Sequence, residues 1–278
     1  MLQISHLFIY PVKSLGGIEV ATAKVEEKGL QYDRRWMLVN KDNRFLTQRE
    51  HAKLALFSTA MDGRHLIVDH PASSGVLRVP LQSESKEFFE ATIWKDTCRV
   101  QAVNPEADEW FSQALGADTR LAHLPVATQR QADKKHAPFY QNTSFSDDYP
   151  ILLVGQASLD DLNARLADPV SINRFRPNIV FTGGQPYCED ELKQFKIGDI
   201  QFFGVTTCAR CTVITIDQAN AVKTPEPLRT LATYRAWNKK VHFGQNIMHQ
   251  GSGEIKVGDE LAIPRPSLQT LTSSHRAG

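Results

Sequence analysis

Cysteine is scarce in this chain: four residues in 278, at positions 98, 188, 208 and 211. So thin a set makes no disulfide scaffold. Long apolar runs are missing as well, and none approaches the roughly 20 residues of a membrane-spanning helix. The start, Met1-Leu-Gln-Ile-Ser-His, lacks the basic segment and apolar block of an export signal. These absences point to reduced thiols, no membrane association and a cytoplasmic location. Excess charge of one sign is also lacking. Lys and Arg number 32 against 31 Asp and Glu, a net charge of +1. The basic residues are spread along the chain, which argues against a nucleic-acid partner. The 41% of hydrophobic residues are enough to build a real core in one large domain or two smaller ones.

Short apolar runs separated by turn signals dominate what remains. Runs 2–10, 18–25, 35–39, 54–58, 65–68 and 76–79 read as strands, broken by Gly16-Gly17, Lys41-Asp42-Asn43 and Asp62-Gly63. Runs 151–154, 178–182, 200–205, 212–217 and 261–263 continue the pattern, which predicts a mainly β fold of barrel or sandwich type. Three helices are predicted. Asn104 caps the first, with Pro105 in its first position and Gly116 closing it. Ser158 caps the second, with Asp161 three residues on and Leu159, Leu162 and Leu166 sharing a face. Thr224-Pro225 opens the third, which carries Leu228, Leu231 and Tyr234. Lys196-Ile-Gly-Asp-Ile200 and Lys256-Val-Gly-Asp-Glu260 repeat a tight-turn chemistry. A polar stretch, 129–144, separates the halves and reads either as a solvated loop or as a lid over an anion site. The domains are expected at 1–120 and 121–264, with a disordered tail at 265–278.

The chemistry concentrates at Cys208-Ala-Arg-Cys211, set between runs that read as strands. A cysteine beside arginine is biased toward thiolate, the form that binds metal or attacks electrophiles. Structural zinc normally takes two such pairs, and Cys98, Cys188, His242 and His249 have the wrong spacing. A thioredoxin-like pair opens a helix, whereas this one runs into the β-branched Thr-Val-Ile-Thr-Ile. Buried inert thiols are the plain alternative. Other polar groups stand at strand ends. They are Lys13 and Ser14 before a glycine turn, Asp33-Arg34-Arg35-Trp36, Thr47-Gln48-Arg49, Ser146-Asp147-Asp148, and Arg176 within Asn173-Arg-Phe-Arg-Pro-Asn178. Arginine forks at strand mouths suit phosphate or carboxylate. From the residues alone this is a basic, phosphate-seeking pocket with one soft metal ligand.

Tyr10-Pro-Val-Lys-Ser14, Asp33-Arg34-x-Trp36, Phe145-Ser-Asp147, Phe175-Arg-Pro-Asn178, Cys208-x-Arg-Cys211 and Lys256-Val-Gly-Asp259 follow one another in the order found in MOSC-domain proteins. Over residues 2–263 the chain resembles the bacterial members with an N-terminal MOSC β-barrel domain and the mitochondrial amidoxime-reducing component. The resemblance implies a MOSC N-terminal β-barrel domain followed by a MOSC β-barrel domain, with a molybdenum cofactor (Mo-molybdopterin) between them. It further implies that Cys211 ligates the metal and is the catalytic residue, and that Lys13, Ser14, Arg34, Ser146, Asp147, Arg176, Asn178 and Arg210 hold the pterin and its phosphate. Thr47 and Arg49 are candidates for the rim, Cys208 for a buried neighbour, and Asp147 is a conceivable proton donor. The implied activity is two-electron reduction of small N-hydroxylated compounds with release of water. Longer bacterial members add a ferredoxin-like domain with four cysteines. No cysteine follows Cys211 here, so no iron–sulfur cluster is expected in this chain. Electrons are expected from a separate flavoprotein reductase or ferredoxin-like protein. Two other functions stay open: a sulfur carrier or cofactor-delivery protein using a cysteine persulfide, and a non-catalytic binding module.

Overall fold

The apolar run Ile-Leu-Leu-Val at 151–154 predicts a strand buried on both faces, and the computed structural model, which describes residues 1–73 and 75–264, builds one there. In chain order the strands of the first half are β1 (Gln3–Ile9), β2 (Ile18–Val20), β3 (Thr22–Glu26), β4 (Gly29–Leu30), β5 (Trp36–Asn40), β6 (Ser58–Met61), β7 (His65–Asp69), β8 (Leu77–Pro80), β9 (Phe88–Ile93), β10 (Asp96–Ala102) and β11 (Thr119–His123), with helix α1 (Pro105–Leu115) before the last. The second half holds β12 (Ile151–Gly155), α2 (Gln156–Asn163), β13 (Ile179–Thr182), β14 (Gln194–Ile197), β15 (Ile200–Arg210), α3 (Leu228–Ala232), β16 (Ala236–Trp237), β17 (Lys240–Gln250) and β18 (Gly253–Lys256). The molecule is mainly β, as expected. The predicted tail at 265–278 lies outside the described residues.

The largest sheet has eight strands in the order β14-β15-β17-β12-β13-β1-β2, with β16 added on β17. Only β12 and β13 run parallel, joined by the α2 crossover. Among the described residues no sheet closes into a barrel. The seam between β1 and β14 is spanned by the segment after β18, where Leu261 N donates to Leu2 O and Lys196 N to Ala262 O. Alternation along β12 explains its unbroken apolar sequence. Ile151 and Leu153 enter one core with Leu7, Ile179 and Phe202, while Leu152 and Val154 enter another with Leu159, Phe175 and Phe243. The four-stranded sheet β5-β11-β10-β9 does the same through β5. Trp36 and Leu38 face one core, and Met37 and Val39 face another.

Some elements differ from the expectations. Residues 54–58 are not a strand: Ala52–Leu56 is a 3-10 turn with Leu54 and Ala55 buried. Nor do 212–217 continue as a strand. Thr212–Thr215 is a 3-10 turn, held by Thr215 Oγ1 donating to Thr212 O at 2.7 Å and pinned by the fully buried Ile214. Tertiary packing here overrides β-propensity. Helix α1 matches its capping signals, with Asn104 accepting from Ala107 N and Gly116 left-handed at φ 67°. Helix α2 starts earlier than predicted, and Ser158 is no cap. Its hydroxyl is buried between Glu189 and Tyr187 N. Helix α3 begins only at Leu228. The long strand β17 escaped the reading because Gly244 and two register shifts against β15 break its alternation. Strands β9 and β10 escaped it because their hairpin tip, Trp94-Lys95, carries no turn signal. Segment 129–144 is neither simply solvated nor a lid. Lys134, Lys135 and His136 are exposed, yet Arg130, Ala132 and residues 141–144 are buried. None of the α-helices is long and apolar enough to cross a membrane among the described residues.

Candidate active site

Strand ends meet at one cleft of about 900 Å³, counted out to open solvent, between the end of β1, the Asp33-Arg34 turn, the approach to β12, the approach to β13 and the end of β15. Lys13, Ser14, Arg34, Ser146, Asp147, Arg176, Asn178, Arg210 and Cys211 all line it, with Thr47, Arg49 and Cys208. Ser14, Arg34 and Arg176 adopt left-handed backbone, at φ 71°, 51° and 54°. Such geometry costs a non-glycine residue on the order of 1 kcal/mol or more and gathers at ligand sites.

The cations are arranged by Tyr10, which the sequence reading had left out of the site. Its buried ring lies between two guanidiniums, with Arg34 4.7 Å and Arg176 4.2 Å from the centroid. Arg34 is neutralised by Asp33. Arg176 has no carboxylate partner among the described residues. Its Nη1 donates to Leu15 O at 2.6 Å, and its Nη2 is buried without a partner. Burial brings its pKa down to about 10, with Tyr10 opposing. Arg210 likewise lacks a carboxylate and has a buried, unpartnered Nε. Buried unpaired donors on cations are costly unless an anion meets them.

Lys13 is buried and donates to Phe145 O at 2.8 Å and to Asp147. Burial pulls its pKa down to about 8 despite Asp147. The Asp147 carboxylate is half exposed. Its surroundings push its pKa up by desolvation, but Lys13 and Arg49 outweigh that and hold it well below the ordinary range. An Asp147 so held is ionised at neutral pH, which counts against it as the proton donor. The loop bearing Ser146 and Asp147 is clamped by Arg130, another residue the sequence reading passed over. Its guanidinium bonds Asp96 and the carbonyls of Ser144, Ser146 and Asp147. The Ser146 hydroxyl pairs with that of Ser144. Asn178 is saturated within the protein. It donates to Phe8 O and Asp33 Oδ1, and accepts from Leu152 N and Arg34 Nη1.

The two cysteines separate in role. Arg210 Nη1 reaches Cys208 Sγ at 3.1 Å. Burial nevertheless raises the Cys208 thiol, and Arg210 only partly opposes it. The arginine inside the motif is therefore turned to Cys208. Cys211 follows the last residue of β15 and is partly exposed on the cleft. Arg49 lines the same cleft. Burial lowers the Arg49 pKa, but Asp147 and Cys211 together raise it above the ordinary value. Arg49 also bonds Asp147 at 3.3 Å and lies 4.5 Å from the Trp94 ring. Among the described residues, no three His, Cys, Asp or Glu side chains lie close enough to hold a metal by themselves.

Comparison with known proteins adds to this geometry. Residues 1–118 match the model of the MOSC N-terminal beta barrel domain, and residues 141–262 that of the MOSC domain. Mitochondrial amidoxime-reducing component 1 of Homo sapiens is 31% identical over 284 residues, covering 94% of this chain and 82% of that protein. Its Mus musculus counterpart is 30% identical over 277 residues, with the same coverages. Molybdenum cofactor sulfurase of Oryza sativa subsp. japonica is 30% identical over 288 residues. The match covers 94% of this chain but only 35% of the sulfurase's length.

Proposed function

The chain belongs to the family of proteins that join a MOSC N-terminal beta barrel domain to a MOSC domain, and from that premise we propose that its cleft holds a molybdenum cofactor and reduces N-hydroxylated compounds. One observation carries the reading: the partly exposed Cys211 thiol shares a cleft with five cations, two of which have buried N–H donors without partners. That donor set fits a phosphorylated, sulfur-rich anion. The orphaned nitrogens of Arg176 and Arg210 ask for phosphate oxygens, and a lone thiolate suits a metal whose other soft ligands arrive with the cofactor.

In this reading Cys211 would ligate molybdenum, with Arg49 in the same cleft. Lys13, Arg34, Arg176 and Arg210 balance the phosphate and dithiolene charge. Ser14 and Ser146 hydrogen-bond the pterin, and the ionised Asp147 accepts from its N–H groups. Asn178 acts by holding Arg34 against Asp33, and Cys208 stays a packed thiol. When bound, the cofactor supplies the two electrons for N–O cleavage. A separate redox protein replenishes them, and the two protons come from a group other than Asp147.

Molybdenum and pterin per polypeptide, measured for protein made in a cofactor-competent host, test this. Wild type and Cys208→Ser should carry both, and Cys211→Ser should lose molybdenum. Dye-driven reduction of benzamidoxime should follow metal content. Full molybdenum in Cys211→Ser would end the proposal. The sulfurase relative, matched along most of this chain, favours a second reading in which Cys211 carries persulfide for cofactor delivery. Mass spectrometry finding persulfide on Cys211 without pterin would select it.

A further inference from the structure

Two hairpin tips beside the cleft each expose a tryptophan. Trp94 and Lys95 form the two-residue tip between β9 and β10, where Ile93 pairs with Asp96. Trp94 is 40% exposed and left-handed at φ 54°. A bulky aromatic is poor turn chemistry there, where asparagine or glycine relieves the strain. It is also a poor solvent-facing residue, and strain of this kind persists at sites with a task. Its indole donates to Asp147 at 3.2 Å, which ties the tip to the cleft. Trp237 is 37% exposed and pairs with Lys240 across the tip of β16 and β17. Its ring stacks on His242 at 4.0 Å, and His242 pairs with Ala209, a residue that lines the cleft.

Exposed lysines accompany both tips. Lys95 and Lys134 share a surface groove with Asp147 and Asp148. Lys240 stands exposed opposite Trp237 at the second tip. Lys223 donates to the carbonyl of Arg49 at 3.2 Å. None of the four has a carboxylate partner among the described residues. Several nearby acids are already occupied: Asp147 by Lys13 and Arg49, Asp96 by Arg130, and Asp217 by Arg174. The chain as a whole is nearly neutral at +1. Asp133 and Asp148 share the groove of Lys95 and Lys134, and the four rim lysines outnumber these two acids.

We propose that the rim formed by Trp94-Lys95, Lys134, Lys223 and Trp237-Lys240 is the docking surface for an acidic electron-carrier protein. The inference rests on the reductase reading above. Reducing R–NHOH to R–NH2 and water consumes two electrons and two protons. The electrons come from one two-electron-reduced flavin carrier or from two reduced iron–sulfur carriers, which must approach the cleft that holds Cys211. Lysines around the mouth steer a negatively charged partner and set its orientation. Exposed tryptophans provide apolar anchors of the kind that dominate interface energetics.

The test titrates the apoprotein with an oxidised acidic [2Fe–2S] ferredoxin and with a flavodoxin at low salt. It is repeated with the triple variant Lys95→Glu, Lys134→Glu, Lys240→Glu and with Trp237→Ala. At least one carrier should bind wild type, with affinity falling as salt rises. The triple variant should bind about tenfold or more weakly, and Trp237→Ala should also weaken it. In the loaded protein, dye-driven turnover of the triple variant should match wild type while carrier-driven turnover falls. Binding by neither carrier, binding unchanged in the triple variant, or tighter binding of a single-stranded oligonucleotide would overturn the proposal. The titration needs no molybdenum, so its failure is distinguishable from failure of dye-driven reduction, which tests the reductase reading.

Discussion

Replacing Arg130 with methionine should lower both stability and cofactor content, because one buried guanidinium holds the loop that presents Ser146 and Asp147. Arg130 is 6% exposed and makes four hydrogen bonds: to Asp96 Oδ2 at 3.0 Å, Ser144 O at 2.8 Å, Ser146 O at 2.6 Å and Asp147 O at 3.0 Å. Bonds to a charged group are worth about 1.5–3 kcal/mol each. Their sum is offset by the several kcal/mol of dehydrating the guanidinium. Removing one partner of such a buried arrangement costs about 3–5 kcal/mol net. At about 2–4 °C per kcal/mol for a chain near this size, the melting temperature should fall by about 6–20 °C. Arg130→Lys keeps the charge but not the planar fork, and one ammonium cannot reach Asp96 and three carbonyls at once. It should recover less than about half of the loss. Calorimetry reads the stability, and molybdenum and pterin content read the loop. A methionine variant melting within about 2 °C of wild type, or a lysine variant equal to wild type, would refute the reasoning.

Gly17→Ala should displace Tyr10 from between Arg34 and Arg176, since an added Cβ would stand 2.7 Å from Tyr10 Cδ1. A loss of about 1–3 kcal/mol with reduced pterin content is expected, and denaturant unfolding with pterin analysis checks it. Lys13 binds its proton less tightly folded than unfolded, its pKa having dropped from 10.5 to about 8 through burial. The unfolded chain therefore holds more protons between these values, and apoprotein stability from this group rises with pH across that window. Urea midpoints between pH 7 and 10 should show the rise in wild type and lack its Lys13 share in Lys13→Met. Glu189 is the opposite case. It is fully buried, and its pKa is raised by desolvation, partly opposed by backbone N–H groups and Ser158. Its contribution is complete below the ordinary value of 4.5 and declines as pH rises toward the raised folded value. Glu189→Gln should therefore gain on wild type in urea midpoints followed upward from pH 4.5.

Much of the fold was legible because it is written in short-range chemistry. Asn104, Pro105 and Gly116 frame α1 through capping and left-handed backbone, and Gly198 turns β14 into β15 as its Gly-Asp signal implies. The apolar stretches at β5 and β12 were legible as strands, and the structure covers both on two faces. Where tertiary contacts overrode local preference the reading failed, as at Thr212–Thr215, where burial of Ile214 bends a β-branched run into a 3-10 turn. It also failed where bulges hid a strand, as in β17.

The sequence alone determined which side chains could serve: a scarce thiol pair, cations and small polar groups at strand ends, in the order of a known family. Which cation meets which sulfur was decided only in three dimensions. Spacing puts Arg210 beside both cysteines, yet its guanidinium turns to Cys208, while Arg49, from a distant turn, joins Cys211 in the cleft. Tyr10, Arg130 and Trp94 entered the site the same way. Local sterics and hydrophobic alternation act over a few residues and can be read along the chain. The meeting of distant side chains depends on strand register and bulges, where a slip of one residue turns a side chain to the opposite face.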